Sequence, residues 1–232
     1  MNIEVVFEDE SLIVVNKPNN LLVHASYYAR NIKEPSLIDR LKEQVNTKLY
    51  PAHRLDYKTS GIIVLAKSSE MAGQLQKQFE NQTIKKTYIA LLRGFVAEEG
   101  IIETPVKNPE NGKYKEAKTH YEKFESIEVD IAVQPYDKSR YSLVEFYPET
   151  GRMHQLRIHA NKISHPIIGD HKYGNRHHNK MFKEELGFDL MFLHAYQLAV
   201  EHPKTGEFIQ FQASPSVAWN LALEKLGFTT RF

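Results

Sequence analysis

The chain has 232 residues, 41% hydrophobic and 25% charged, with a formal net charge of +1. That is the composition of a soluble globular protein with length for a sizeable core, and any nucleic-acid partner must be met by a local basic face. There is no cysteine, which excludes disulfides, thiolate metal sites and cysteine nucleophiles and agrees with a reducing cytoplasm. No apolar run approaches the ~20 residues that span a bilayer, and Met1 leads at once into strand-like IEVVFED, leaving no room for a signal peptide.

Ile3 to Phe7 alternates apolar and polar residues, Glu8 to Ser11 turns, and Leu12 to Val15 returns before Lys17-Pro18, a predicted hairpin. Leu21 to His24 follows, then a polar loop to Pro35. Ser36, with Asp39 three residues on, is close to a capping box, and Leu37, Leu41 and Val45 fall on one face of a short helix. The stretch YPAHRLDYKTSGIIVLAKS, Tyr50 to Ser68, then mounts a charged loop on an unbroken apolar run, Ile62 to Ala66, predicted to be a strand buried on both faces. Ser68 or Ser69 caps a second helix with Ala72, Leu75 and Phe79 at helical spacing.

Gln82 to Gly94 reads as a strand, and Ile101 to Ala117 as an irregular segment rich in lysine. Tyr121 to Val129 and Tyr141 to Tyr147 are two more strands, joined by a polar connection. GRMHQLRIHANK places Met153, Leu156 and Ala160 along a third helix, ahead of a Gly- and His-rich loop, SHPIIGDHKYGN. Leu193 to Val200, a turn at Pro203 to Gly206 and Phe208 to Phe211 form a second hairpin. Ser214-Pro215 starts a terminal helix through Trp219, Leu221 and Leu226. Many hairpin-joined strands with about four helices predict an α+β fold on a mixed, largely antiparallel sheet. No linker or repeat interrupts the chain, so residues 1–232 read as one domain.

Three constellations carry chemistry: Asp56 with Arg54; Tyr88 in KKTYIALLRG; and Arg152, His154, Gln155, Arg157 and His159 in GRMHQLRIHA. Read alone, the first is equally an ordinary loop ion pair, and Tyr88 is a common strand aromatic. Arg157 borders the buried stripe of its helix and therefore needs a carboxylate or phosphate, for which Asp56 is the candidate. His53, Asp56 and Ser60 are near neighbours, yet no G-x-S-x-G elbow supports a serine hydrolase. His154 and His159 lie roughly 140° apart around a helix, so they do not make a metal site.

HRLDYKTSG resembles the central HRLD-x-x-TSG motif of the RluA-type pseudouridine synthases. KTYIA resembles the family's K-x-Y-x-A strand, and GRMHQLRIH its G-R-x-H-Q-[LI]-R-x-H motif. SHPIIGDHKYG follows the downstream GHPI-GD-x-x-YG pattern with Ser164 in place of glycine, and Leu193-His194-Ala195 matches as well. The similarity runs from Phe7 to about Gly227. It implies a long mixed sheet with flanking helices and a central cleft, and no separate S4 domain. It implies an RNA uridine-to-pseudouridine isomerase with Asp56, Tyr88 and Arg157 as catalytic residues, and no cofactor or metal. Asp56 is the acting carboxylate, Arg157 pairs with it, and Tyr88 stacks on the target uracil. The base is flipped out and Arg54 enters the space it leaves.

The RNA-contacting set is Arg54, His53, Arg152, His154, Gln155, Lys85, Lys86 and Lys172. Arg93, Lys107, Lys113, Lys115, Lys118, His171, Arg176, His177, His178 and Lys180 add basic groups nearby in sequence. Several segments, among them AHRLD, Thr119-His120-Tyr121 and the stretch after Thr150, resemble the branch acting on uridine 65 in the T-stem of tRNA. A 23S rRNA target, or uridine 32 of tRNA, is the alternative within the family. A non-catalytic RNA-binding or chaperoning protein on the same fold is the alternative outside it. The expected protein is a cytoplasmic monomer with an RNA partner, no membrane and no required protein partner.

Overall fold

A computed structural model of the protein describes residues 2–25, 33–108 and 111–232. Most of the polar loop expected between His24 and Pro35 lies outside these residues, as do Pro109 and Glu110 of the expected irregular segment. In chain order the elements are β1 (Glu4–Glu8), β2 (Leu12–Lys17), α1 (Leu37–Val45), β3 (Tyr50–Pro51), β4 (Ser60–Ala66), α2 (Ser69–Glu80) and β5 (Lys85–Arg93). Then follow β6 (Glu99–Glu103), β7 (Val106–Lys107), β8 (Tyr114–Lys115), β9 (Lys118–Val129), β10 (Ser139–Pro148) and α3 (Gln155–Lys162). The chain ends with α4 (Arg176–Glu184), β11 (Leu193–Glu201), β12 (Phe208–Gln212) and α5 (Val217–Leu226). Two compact units form: Met1–Lys86 with Ala195–Ser214, and Thr87–His194 with Pro215–Phe232.

In the first unit the strand order is β1-β2-β4-β11, with β3 beside β4 and β12 beside β11. The β1–β2 hairpin, the β2–β4 ladder and the β11–β12 hairpin are antiparallel. Side chains alternate between the faces of a strand, and the sequence uses that alternation twice. Leu12, Val14, Ile62, Val64 and Ala66 pack with Leu75 of α2 and Phe211. Ile13, Val15, Ile63 and Leu65 pack with Leu37 and Leu41 of α1. A helix on each face explains why every residue of β4 is buried and why its sequence shows no polar alternation. Both helices start on serine caps. Ser36 completes the full capping box with Asp39, and the Ser68 side chain accepts from the Met71 N–H.

The second unit has the order β5-β10-β9-β6. It is antiparallel throughout, with Tyr88 opposite Phe146 and Phe146 opposite Tyr121. One face packs Ala90, Leu92, Val144 and Phe146 against Leu156 and Ala160 of α3. Phe182 of α4, Phe192 and Trp219 of α5 form a chain of ring contacts.

The α+β, largely antiparallel architecture agrees with the sequence, with three corrections. The segment expected to be irregular starts within β6 and contains the small β7–β8 ribbon. Only Ile102 of β6 is buried while Ile101 is exposed, so the apolar signal is weak. Helix α4 is unanticipated. Its buried stripe is His178, Met181 and Phe182, and a histidine standing in a core position hides the helical spacing. The terminal helix is capped at Ser216, so Pro215 precedes it, and Leu221 lies on its exposed side. Among the described residues no helix is long and apolar enough to cross a membrane.

Candidate active site

The Asp56 loop belongs to the first unit and is held from two sides. On one side the His53 ring stacks on Phe79 with centroids 4.4 Å apart, and its Nε2 accepts the Val64 N–H at 3.1 Å. Burial, with a smaller effect of the Lys86 charge, pushes the imidazole down to about 3. His53 is therefore neutral at ordinary pH and ties the loop to β4. On the other side stands Lys17, whose side chain is fully buried. Its ammonium donates to the carbonyls of Pro18 and Leu21, both at 2.9 Å, and of Tyr57 at 3.3 Å. Leu21 N–H also donates to the Tyr57 carbonyl, and the Asn19 amide to that of Lys58. Residues 17 to 21 thus grip the backbone immediately after Asp56.

Burial pushes the Lys17 ammonium down to about 7, and the negative charge of Asp56 works against that shift. The Asp56 carbonyl accepts the Thr59 N–H, which closes the turn into β4. Asp56 itself is half-buried, while Arg54 is exposed. Gly61, at the end of the motif, has φ +111°, and a Cβ there would lie 2.2 Å from the Ala195 carbonyl oxygen. The motif glycine is needed because β11 passes too close for any side chain.

Tyr88 and Arg157 belong to the second unit. Tyr88 sits on β5, partly buried against the cluster around Phe146. Arg157, on α3, is 8% exposed. Its Nε donates to Asp170 Oδ2 at 2.7 Å and its Nη2 to Asp170 Oδ1 at 2.9 Å, a two-pronged pair. Asp170 also accepts the backbone N–H groups of Lys172 and Tyr173. Burial raises the pKa of this carboxyl, but the Arg157 hydrogen bond and charge and the two backbone donors together hold it below its ordinary value. The Tyr173 ring lies 5.2 Å from the Arg157 guanidinium, and its hydroxyl is 3.0 Å from His154 Nδ1.

The remaining candidates divide by exposure. Gln155 is buried. Its Oε1 accepts from the Thr150 hydroxyl and the Arg152 N–H, and its Nε2 donates to the Lys118 carbonyl and the Thr119 hydroxyl. All four amide positions are spent on fixing the start of α3. Arg152 donates from Nε to the Glu116 carbonyl. Lys85 and Lys172 are exposed and Lys86 is half-buried. Of the wider basic set, Lys118 is paired with Glu103 and Glu149, and His178 is a core residue hydrogen-bonded to the Tyr141 hydroxyl. Among the described residues no three His, Asp or Glu side chains are grouped to hold a metal ion.

Sequence reasoning offers Asp56 as the partner of Arg157; Asp170 is a partner it misses, and Lys17 is a second residue it misses. Both left a signal. Asp170 is the one carboxylate in the loop after α3, and Lys17 follows Ile13 and Val15 at the period that faces the core.

Comparison with known proteins follows the same lines. The family model described as RNA pseudouridylate synthase matches residues 11–162. The protein from Haemophilus ducreyi called tRNA pseudouridine synthase C is 36% identical, with 98% of this chain and 97% of that one covered. A protein of the same name from Pectobacterium carotovorum is 36% identical over 97% of this chain, which spans 62% of that relative's length. The solved structure of human RNA pseudouridylate synthase domain containing 4 superposes with a TM-score of 0.74 at 24% identity, over 99% of this chain and 95% of the other.

Proposed function

Since the chain belongs to the RNA pseudouridylate synthase family, we propose that it isomerises a uridine of tRNA to pseudouridine, with uridine 65 of the T-stem as target. In that reaction the N1–C1′ bond breaks, the uracil turns, a C5–C1′ bond forms, the C5 proton leaves to solvent and N1 takes up a proton, so that product and substrate are isomers. Asp56 is the reacting carboxylate, Tyr88 the ring assigned to the target uracil, and Arg157 the guanidinium assigned to the same reaction. Arg54, exposed beside Asp56, is suited to the space left by a flipped base.

The observation that carries this reading is the HRLD loop itself. A half-buried carboxylate is mounted between a neutral histidine hydrogen-bonded to β4 and a buried ammonium under the next peptide, so the protein invests rigid structure in aiming one acid. The name and full-length similarity of the Haemophilus ducreyi relative support tRNA as substrate. The family match runs through parts of both units, which supports treating them as one catalytic domain. The absence of cysteine supports a cytoplasmic setting, and one chain carrying all three motif residues supports action as a monomer.

The test is tritium release from C5-labelled uridine tRNA by the purified protein, with pseudouridine mapped in total RNA from cells with and without the gene. Release, and loss of the modification at tRNA position 65, is expected. Loss at an rRNA site or at uridine 32 moves the substrate within the family; RNA binding without release makes the protein a non-catalytic binder.

A further inference from the structure

The second unit carries a cleft of about 630 Å³ whose walls include none of the residues assigned to the reaction. It opens at the end of β5, where Arg93 closes the strand five residues beyond Tyr88, some ~17 Å along an extended chain. Neither Tyr88 nor Arg157 lines it. Its walls are tied by backbone and ring contacts. Arg93 N–H donates to the Pro166 carbonyl at 3.0 Å, Gly94 N–H to the Arg140 carbonyl at 2.7 Å, and His165 Nδ1 to the Arg93 carbonyl at 2.9 Å.

Charge and aromatic surface are arranged unequally around this cleft. Arg140 and Lys138 share Glu128, at 2.8 and 3.5 Å, and Lys138 also reaches Asp130 at 3.0 Å. Among the described residues no carboxylate lies within ion-pair distance of the half-buried Arg93 guanidinium. Burial holds the His178 imidazole below its ordinary pKa, and the Arg93 charge adds to that inside the fold. A partly desolvated guanidinium without a carboxylate is an anion seat. Beside it, Tyr136 is 60% exposed on the rim, and the Arg140 guanidinium covers Phe95 at 5.2 Å. Exposed rings next to a cation form the platform that single-stranded nucleic acid uses. Asp137 also lines the cleft, which favours a ligand whose negative charge is confined to one end.

We propose that this cleft is a second RNA contact, holding one unpaired nucleotide of the substrate with its phosphate on Arg93 and its base against Tyr136. The assignment rests on the reading of the protein as a tRNA-modifying enzyme. It adds a binding determinant away from the reacting uridine, one that contributes affinity and not chemistry.

The test uses the full chain with a tRNA transcript, and wild-type isomerisation is measured in the same preparation. Arg93→Gln is expected to raise KM with kcat unchanged and to lower the slope of log affinity against log salt by about one. Tyr136→Ala, at an exposed ring that the fold does not need, is expected to weaken binding roughly five- to a hundred-fold without changing that slope. An active wild type with unchanged affinity and salt slope in both variants overturns the cleft proposal alone, as does a loss confined to kcat. A wild type that neither binds nor isomerises tRNA overturns the functional reading and the cleft's occupant with it.

Discussion

Arg157 and Asp170 form a two-pronged ion pair, 2.7 and 2.9 Å, in which the carboxylate is 1% exposed on its side chain and the guanidinium 10%. The pair binds α3, which carries the Gln155-Leu156-Arg157 end of the G-R-x-H-Q-L-R motif, to the loop that follows it. Two further backbone donors complete the carboxylate, so the guanidinium has little freedom to rotate. A motif arginine is thereby placed by a carboxylate that no simple reading of the motif picks out.

Removing Asp170 leaves a buried positive charge behind. Asp170→Ala is expected to cost about 3–5 kcal/mol, the range for breaking a buried pair from one side, and Asp170→Asn less, since its amide oxygen still accepts one N–H. Urea unfolding at neutral pH measures both; a loss within the noise of a surface substitution would refute the role. Because the folded-state pKa of Asp170 is lowered, its stabilisation is complete above the unfolded value near 3.9. It is lost as pH falls below that value through the folded pKa, and Asp170→Asn should flatten that part of the acid limb.

Lys17 gives a pH dependence at the other end of the scale. Its ammonium is pushed down to about 7 from 10.5, so between those two values the unfolded chain binds more protons than the folded one. Stability should therefore rise with pH across that window. Below pH ~7 both states are protonated and the desolvation cost is constant, on the order of 5 kcal/mol. Lys17→Met has no such group, so the difference between wild type and variant, followed by urea midpoints from pH 6 to 10, should grow in favour of wild type as pH rises. Parallel profiles would show that the group keeps an ordinary pKa.

What the sequence makes legible follows from how local its physics is. The β4 run, the Ser36 and Ser68 caps and the β1–β2 and β11–β12 hairpins are set by neighbours along the chain, and each forms where its pattern places it. Helix α4 is not legible, because its stripe depends on His178 being a core residue. That becomes evident only when Tyr141, 37 positions away, supplies a hydrogen bond. Strand β6 exists because β9 offers it an edge, not because its own residues demand burial. At the candidate site the residue types are legible and their supports are not. Gln155 reads as an RNA contact but spends its amide on Thr119 and Lys118, partners whose positions only the folded chain reveals.

Gly61 sets a strict steric test. At φ +111° with the Ala195 backbone 2.2 Å from any Cβ, alanine has neither the conformation nor the room. Gly61→Ala should move β4 against β11 and cost more than the ~1 kcal/mol of an ordinary glycine replacement. Its yield of folded protein and its unfolding midpoint measure this. A variant as stable as wild type would mean that the strand relaxes at no cost.

Asp56 carries the final prediction, and here stability and activity must separate. The loop is held by backbone groups of Tyr57, Lys58 and Thr59 and by the His53 ring, and Asp56→Asn leaves all of these supports in place while it removes the charge. The neighbouring Lys17 loses an opposite charge that favours its protonated form, so its titration should shift further down. The expected result is a folded variant that binds tRNA with wild-type affinity, shows no tritium release, and has the pH window of Lys17 displaced to lower values. Retention of full turnover by Asp56→Asn would remove the carboxylate from the chemistry. Loss of tRNA binding along with turnover would instead make Asp56 part of how the RNA is held.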